Sequence, residues 1–121
     1  MKDLNPLALA YIGDAIYELY IREYLISKNI SKVNILQNEA IKYVSATGQA
    51  KYLKEMMDND FFTEEELNII YRARNHKSHK SKSTDIITYK HSTALEALIG
   101  YLYLENNKKR IDEIMNHIKG E

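Results

Sequence analysis

Two acidic residues in otherwise apolar helical sequence are the first candidates for chemistry in this chain. Asp14 follows Gly13 and lies among alanine, isoleucine and tyrosine residues, whereas Glu96 lies among apolar residues one helical turn before Gly100. An Asp in the middle of a helix has poor helix propensity and is costly to bury alone, and a Gly there costs about 1 kcal/mol relative to Ala. A helix that carries such residues usually gains close packing or chemistry from them.

The chemistry that two such carboxylates best serve is the hydrolysis of a phosphodiester. At neutral pH that reaction needs a nucleophilic water and a positive charge near the phosphate, and Mg²⁺ supplies both from a site of one or two carboxylates plus waters. Small residues near each acid would let two helices approach closely, so that facing carboxylates share one ion; they are Ala8, Ala10, Gly13 and Ala15, and Ala94, Ala97 and Gly100. The alternative, which periodicity alone favours, is a pair of hydrogen-bonded polar residues at a helix contact or in solvent.

Two motifs of the chain resemble those of the ribonuclease III catalytic domain. In that family a Gly-Asp-Ala helix faces a Glu-Ala-Leu-Ile-Gly helix and the two hold magnesium; this chain has the motifs in the same order, at 13–15 and 96–100. The Val-Ser-Ala step at 44–46 and the Tyr-Lys-His-Ser-Thr run at 89–93, with no double-stranded-RNA-binding domain expected, are similar to the short Mini-III branch. The resemblance extends over nearly the whole chain.

The resemblance implies a fold, an activity and a set of site residues. The expected protein is a homodimeric ribonuclease III-like helical bundle that cleaves double-stranded RNA with Mg²⁺ and leaves 3′ overhangs; bacteria use the Mini-III branch to trim the precursor of large-subunit (23S) ribosomal RNA. Asp14 and Glu96 are the expected catalytic residues and metal ligands, and Asp14 also positions the attacking water. The family has an aromatic residue three positions before this Asp that inserts into the partner subunit, which implies that Tyr11 lies in the dimer interface.

The chain departs from the fuller ribonuclease III pattern at three acidic positions. Ala10, Thr47 and Thr93 stand where that pattern has carboxylates. Only two of the usual acidic positions therefore remain, which matches the Mini-III branch and leaves the number of metal ions open. Ser92 and Thr93 could orient a metal-bound water, and Glu18 is either a reserve ligand or a solvated side chain.

A basic stretch from Tyr71 to Lys90 is the candidate RNA-binding surface. It contains six Lys or Arg residues and one Asp, a net charge of +5, and its part from Arg74 to Asp85 has no apolar residue, which predicts an exposed loop. A-form duplexes are recognised mostly through phosphates and 2′-hydroxyl groups, and cations bind phosphates without reading sequence. The predicted RNA-binding residues are Arg72, Arg74, Lys77, His79, Lys80 and Lys82. The alternative is a solvated, charged loop.

Length and composition limit the fold class and the compartment. A chain of 121 residues is expected to form one domain over 1–121, and apolar residues at spacings of three and four, with one Pro and four Gly, predict an all-α bundle of about six helices. There is no Cys, the first residues do not resemble a signal peptide, and no apolar run approaches the roughly 20 residues that cross a bilayer. These features favour a cytoplasmic protein with no membrane partner.

Caps and periodicity predict the bounds of the six helices. Ser31 is expected to cap the second helix, and Thr63 with Glu66 predicts a capping box before the fourth. Five of the predicted helices are Pro6–Ser27, Lys32–Val44, Ala46–Met57, the stretch from the capping box to Ala73, and Lys108–Ile118. The remaining one, the fifth in chain order, is expected to start near Thr88 to Lys90 and to run to about Leu104. The second helix is expected to face the core through Val33, Leu36, Ala40, Ile41 and Val44.

Two functions without catalysis remain open from the sequence. The loss of acidic positions allows a non-catalytic RNA- or ribosome-binding module on the same fold. A helical protein-interaction domain that binds no RNA is the third possibility. Magnesium-dependent cleavage of a duplex would separate the enzyme from both of these alternatives.

Overall fold

The computed structural model describes residues 4–76 and 85–121, and within these ranges it contains six α-helices and no strand. The prediction of an all-α fold is confirmed, and apart from the start of the fifth helix each predicted helix end lies within one residue of the observed one. The helices are α1 (Pro6–Ser27), α2 (Val33–Val44), α3 (Ala46–Asp58), α4 (Glu64–Arg74), α5 (Ile86–Leu104) and α6 (Lys108–Lys119).

Side-chain caps mark the start of five of these helices, all except α2, and the caps of α4 and α5 bear on the predictions. The predicted capping box of α4 is confirmed, because the Thr63 amide donates to Glu66 Oε1 at 2.9 Å and the Glu66 amide donates to Thr63 Oγ1 at 3.1 Å. Asp85 caps α5 by accepting a hydrogen bond from the Thr88 amide at 2.8 Å. The helix therefore begins at Ile86, earlier than predicted, because the polar stretch before it ends in a capping residue.

The backbones of α1 and α5 touch where the two helices cross. A Cβ atom placed on Gly13 would lie 1.7 Å from the carbonyl oxygen of Glu96, and one placed on Gly100 would lie 1.9 Å from the carbonyl oxygen of Leu9. The later residue of α1, Gly13, lies against the earlier residue of α5, Glu96, and Leu9 lies against Gly100, so the two helices run antiparallel. Only glycine permits backbone contact this close, which explains why both helices carry this residue in mid-helix.

The central element of the bundle is α5, which packs against α1, α3, α4 and α6. Every residue from 92 to 102 is buried except Glu96, which is half-buried. A helix that is apolar on all sides belongs inside a helical domain, and here a single carboxylate interrupts the apolar surface. No helix in the described ranges is long and apolar enough to cross a membrane.

Two predictions for α2 are wrong. Its N-cap residue is Lys32 and not Ser31, and no side chain caps the helix. Val33 and Ile41 are 65% and 58% exposed, and α2 has no buried residue. The helix packs mainly on α1 and α3, so only one narrow side of it meets the core. The half-buried residues among those expected to face inward are Leu36, Ala40 and Val44.

Candidate active site

The structure brings Asp14 and Glu96 together at the point where α1 crosses α5. Gly13 lies against the backbone of Glu96, and the neighbouring Asp14 side chain raises the pKa of Glu96 through a hydrogen bond and its negative charge. Asp14 is exposed and Glu96 is half-buried. The pair is therefore fixed by the packing of the two helices and remains open to solvent on the α1 side.

The electrostatics of this pair are unfavourable without a cation. The pKa of Glu96 is raised to about 9, chiefly by burial and further by the hydrogen bond and charge of Asp14 and the charge of Glu18, while the hydrogen bond from Gln49 acts in the opposite direction. No Lys, Arg or His among the described residues forms an ion pair with Asp14 or Glu96. Two carboxylates this close can both be ionised only if a positive charge compensates them, which makes the site suited to a cation.

Glu18, one turn after Asp14, already has a partner. Its Oε2 atom accepts hydrogen bonds from Arg22 Nη2 at 2.9 Å and from Arg22 Nε at 3.2 Å. A carboxylate engaged by a guanidinium group is less available to a metal ion. In this arrangement Glu18 adds negative potential to the site. Asp14 and Glu96 are then the two carboxylates of the site that form no ion pair with a described residue.

Gln49 is a residue of the site that the sequence reasoning missed. It lies on α3, it is 1% exposed, and its Nε2 atom donates to Glu96 Oε2 at 3.2 Å. Ser92 Oγ in turn donates to Gln49 Oε1. The buried residues of α3 are Gln49, Leu53 and Met56, which share one helix face, so a polar residue in that apolar stripe was the available signal.

Thr47, Thr93 and His91 differ in their exposure and contacts. Thr47 is exposed at the start of α3, whereas Thr93 is buried in the core side of α5. His91 lies with its Nδ1 atom 2.8 Å from the carbonyl oxygen of Ile87. Because a carbonyl oxygen can only accept, Nδ1 carries the proton and Nε2 is left to act as an acceptor in the neutral ring.

A groove whose lining includes Ala50 and His91, the chain neighbours of Gln49 and Ser92, carries positive charge. It has a volume of about 560 Å³ and is lined by residues of α3, by Arg74 at the end of α4 and by His91 on α5. Its α3 wall includes Lys51 and Lys54, which the sequence reasoning did not select, and Asp58 lies at the same groove. The predicted RNA-binding residue Arg74 thus stands in a basic groove rather than alone.

Only two of the six predicted RNA-binding residues, Arg72 and Arg74, lie among the described residues. Arg72 donates from Nη2 to the carbonyl oxygen of Leu4 at 2.5 Å, so this side chain is tied to the segment before α1. The guanidinium group of Arg74 lies 4.8 Å from the centre of the Tyr71 ring. Four of the predicted residues lie outside the described residues, and so does most of the predicted loop; the four are Lys77, His79, Lys80 and Lys82.

Tyr11, the predicted interface residue, projects from α1 one turn before Asp14. Its side chain is 85% exposed, the largest exposure among the exposed large hydrophobic residues of the described ranges. Single exposed apolar residues are common on protein surfaces. A highly exposed tyrosine beside the acidic pair is nevertheless the arrangement that an interface anchor requires.

Comparison with known proteins identifies the family. The family described as Ribonuclease III domain matches residues 7–107, a range that includes both Asp14 and Glu96. The chain belongs to the ribonuclease III family. The resemblance seen in the two sequence motifs is therefore confirmed, and the protein is an endoribonuclease.

Several relatives in the ribonuclease III family are similar over most of their length. A protein of Staphylococcus aureus named Mini-ribonuclease 3 is 49% identical over 119 residues, which are 98% of this chain and 89% of that protein. A Mini-ribonuclease 3 of Brevibacillus brevis is 51% identical over 112 residues, which are 92% of this chain and 82% of that protein. These names favour catalysis over the two non-catalytic alternatives.

A solved structure supports the ribonuclease III-like fold. The crystal structure of a protein from Fusobacterium nucleatum superposes with a TM-score of 0.89 at 33% sequence identity. The superposition covers 98% of this chain and 96% of the other chain. The arrangement of α1 to α6 is thus shared with an experimentally determined protein.

Proposed function

We propose that this endoribonuclease cleaves double-stranded RNA with Mg²⁺ held by Asp14 and Glu96. The observation that carries the proposal is the pair of adjacent carboxyl groups at the crossing of α1 and α5. The pair has no basic partner among the described residues, and the family to which the chain belongs acts on RNA. A site of two carboxylates that is open to solvent agrees with the demands of phosphodiester hydrolysis.

The donor set fits Mg²⁺ better than a softer metal. Mg²⁺ prefers hard oxygen ligands and is commonly held by one or two carboxylates while it keeps several waters. The described residues contain no group of three or more His, Cys, Asp or Glu that could hold a metal, so Asp14 and Glu96 would need waters to complete the coordination. When bound, Mg²⁺ supplies an activated water and stabilises the negative charge that develops on the phosphate.

The chain's own residues hold and orient these ligands. Gly13 brings the α1 backbone against that of Glu96, which places the two carboxyl groups side by side although they come from different helices. Gln49 donates a hydrogen bond to one oxygen of Glu96. Asp14 is on the exposed side of the pair and would therefore face the RNA backbone.

The basic groove supports the binding of an RNA duplex. Lys51, Lys54 and Arg74 line it beside His91, and such donors contact phosphates without reading base sequence. Duplex RNA is recognised largely by the shape and phosphates of its A-form helix. The predicted cations at Lys77, Lys80 and Lys82 would extend this surface, although they lie outside the described residues.

The proposed assembly is a homodimer with Tyr11 in the interface. Its 85% exposure leaves a large aromatic side chain available to a pocket of the partner. Bacterial relatives named Mini-ribonuclease 3 support a cytoplasmic enzyme, and we propose the precursor of 23S ribosomal RNA as its substrate. Two sites in one dimer would give one cut in each strand.

Cleavage of defined RNAs by the purified protein tests the proposal. A 5′-labelled duplex and the same strand without its complement are incubated with and without Mg²⁺, and the products are resolved at nucleotide length. We expect cleavage of the duplex only when Mg²⁺ is present, with paired cuts that leave 3′ overhangs. Equal cleavage of the single strand, or undiminished cleavage in the presence of a chelator, would contradict the proposal.

A further inference from the structure

We propose that Gln49, oriented by Ser92, positions the carboxylate of Glu96 for metal binding. The inference rests on the proposed role of Glu96 as a ligand of Mg²⁺. The three side chains form a continuous relay: Ser92 Oγ donates to Gln49 Oε1, and Gln49 Nε2 donates to Glu96 Oε2 at 3.2 Å. Gln49 and Ser92 are thus positioning residues that act through Glu96.

Packing alone does not account for a glutamine at this position. Gln49 is 1% exposed and shares the buried face of α3 with Leu53 and Met56. Methionine has nearly the same shape as glutamine and would fill the position without an amide that must be hydrogen-bonded. The amide is tolerated because both of its ends have partners; among the described residues, no buried side-chain nitrogen or oxygen lacks one.

The chemistry of the partners determines which end of the amide faces Glu96. In the ionised form that would bind a cation, the Glu96 carboxylate can only accept hydrogen bonds, so the NH₂ group of Gln49 must face it. The amide oxygen then faces Ser92, whose hydroxyl group can donate to it. Ser92 lies one helical turn before Glu96 on the same side of α5, so the two ends of the relay are held by one helix.

This relay restricts the conformations of the Glu96 side chain, which is only half-buried. A side chain that is already held in its binding orientation loses less conformational freedom when it binds a ligand. Residues that hydrogen-bond to metal ligands typically contribute about 10- to 100-fold in metal affinity or activity. The relay therefore predicts weaker metal binding, and not a slower reaction at saturating metal, when the hydroxyl group of Ser92 is removed.

Two substitutions at Ser92 that are isosteric with each other separate the effect of the hydroxyl group from the effect of packing. Ser92→Thr keeps the hydroxyl and adds a methyl group, whereas Ser92→Val has the same shape as that variant and no hydroxyl. Ser92→Ala removes the hydroxyl without adding volume, and Gln49→Met removes the amide. Tyr101→Phe is the matched control, because it removes another hydrogen-bonded hydroxyl from α5, the one that donates to Glu65.

Two quantities are measured for each protein. Electron paramagnetic resonance gives the affinity for Mn²⁺ without RNA, and cleavage assays give the Mg²⁺ concentration for half-maximal duplex cleavage. We expect Ser92→Val, Ser92→Ala and Gln49→Met to weaken Mn²⁺ binding about 10-fold and to raise the Mg²⁺ requirement in parallel. The cleavage rate at saturating Mg²⁺ should stay near that of the wild type. Ser92→Thr and Tyr101→Phe should bind Mn²⁺ as the wild type does.

A parallel measurement on Glu96→Gln separates failure of the relay from failure of the proposed function. If Glu96→Gln binds Mn²⁺ as well as the wild type, Glu96 is not a ligand and the metal site proposed above is wrong. If Glu96→Gln loses binding while Gln49→Met and Ser92→Ala retain it, only the relay is wrong. Equal loss in Ser92→Thr and Ser92→Val would assign the effect to packing and would also overturn the relay.

Discussion

At the scale of single residues, Gly13 determines how the acidic pair is built. A Cβ atom at this position would lie 1.7 Å from the oxygen and 2.7 Å from the carbon of the Glu96 carbonyl group. Both atoms belong to a helix backbone, so they cannot move away as a side-chain end would. The distance between Asp14 and Glu96 is therefore coupled to the absence of a side chain at Gly13.

This coupling predicts that Gly13→Ala destabilises the protein and reduces cleavage together. In an unconstrained helix the change would stabilise by about 0.5–1 kcal/mol, whereas forced separation of packed helices costs typically about 1–3 kcal/mol. We therefore expect a lower free energy of unfolding in urea and slower duplex cleavage. Ala15→Ser, at an exposed position of α1, is the control. A Gly13→Ala protein as stable as the wild type would refute the contact.

Single residues also show what the sequence could and could not predict of the site. Asp14 and Glu96 were selected because each interrupts an apolar helix and stands near a glycine. Gln49 was missed because its role depends on α3 meeting α5, which no spacing along the chain reveals. The sequence suggests that Ser92 could orient a metal-bound water, and the structure adds that its hydroxyl group donates to Gln49.

At the scale of elements, an ion pair ties α4 to α6. Arg110 donates from Nε to Glu66 Oε2 at 2.7 Å and from Nη2 to Glu66 Oε1 at 2.8 Å, and it also donates to the carbonyl oxygen of Phe61. Burial alone would raise the pKa of Glu66, but the hydrogen bonds from Arg110 and Thr63 outweigh it and the pKa is lowered. The charged form of Glu66 is therefore stabilised in the folded protein.

The lowered pKa of Glu66 gives a pH dependence of stability with a defined sign. The contribution is fully present above the pKa of the unfolded chain and is lost as pH falls through the lower folded pKa. Glu66→Gln should cost roughly 3 kcal/mol near neutral pH, and this difference from the wild type should shrink as pH decreases from about 6 to about 3. Urea denaturation at several pH values measures it. A pH-independent difference would contradict the assignment.

The exposed acid Glu64 provides the control for this pH series. It lies in the first turn of the same helix and has only the weak interaction of an acid with a helix N-terminus, typically about 0.3–1 kcal/mol. Glu64→Gln should therefore change stability much less than Glu66→Gln at every pH. An equally large effect at Glu64 would assign the pH dependence to helix-terminal charge and not to the Arg110 pair.

The basic groove between α3 and the start of α5 gives a prediction about RNA affinity. Replacing Lys51, Lys54 and Arg74 by Ala should weaken binding to all duplexes similarly, because phosphate contacts carry no sequence information. The slope of log affinity against log salt should flatten by about one for each phosphate that the variant no longer neutralises. The double variant Lys108→Ala/Lys109→Ala, on α6, is the control. Unchanged slopes in the groove variant would place the RNA surface elsewhere.

The elements also explain which helix boundaries the sequence could predict. Thr63 and Glu66 form a local capping box, so both partners are visible in four consecutive residues. The inward face of α2 was predicted from its apolar residues, but Val33 and Ile41 are exposed because α2 packs at the edge of the bundle. Burial of an amphipathic helix depends on how many neighbours it has, which its own periodicity does not encode.

At the scale of the whole molecule, the proposed dimer makes a prediction for Tyr11. Aromatic anchors in an interface commonly cost about 2 kcal/mol or more when truncated. Tyr11→Ala should therefore shift the protein toward monomer in analytical ultracentrifugation and reduce cuts in both strands together. Ile35→Ala removes an exposed apolar side chain from a different helix, α2, and should leave the assembly unchanged. A wild-type protein that is monomeric at micromolar concentration would contradict the proposed interface.

The central claim for the whole molecule is that Asp14 and Glu96 together hold the cation that cleaves duplex RNA. The most direct measurement compares single-turnover cleavage of one labelled duplex by the wild type, Asp14→Asn and Glu96→Gln at fixed Mg²⁺, with duplex affinity measured without Mg²⁺. We predict that each variant folds and binds the duplex, but that its cleavage rate falls by more than the factor of about 100 typical of residues that only support a metal ligand. Cleavage by either variant at a rate near that of the wild type would contradict the two-carboxylate site.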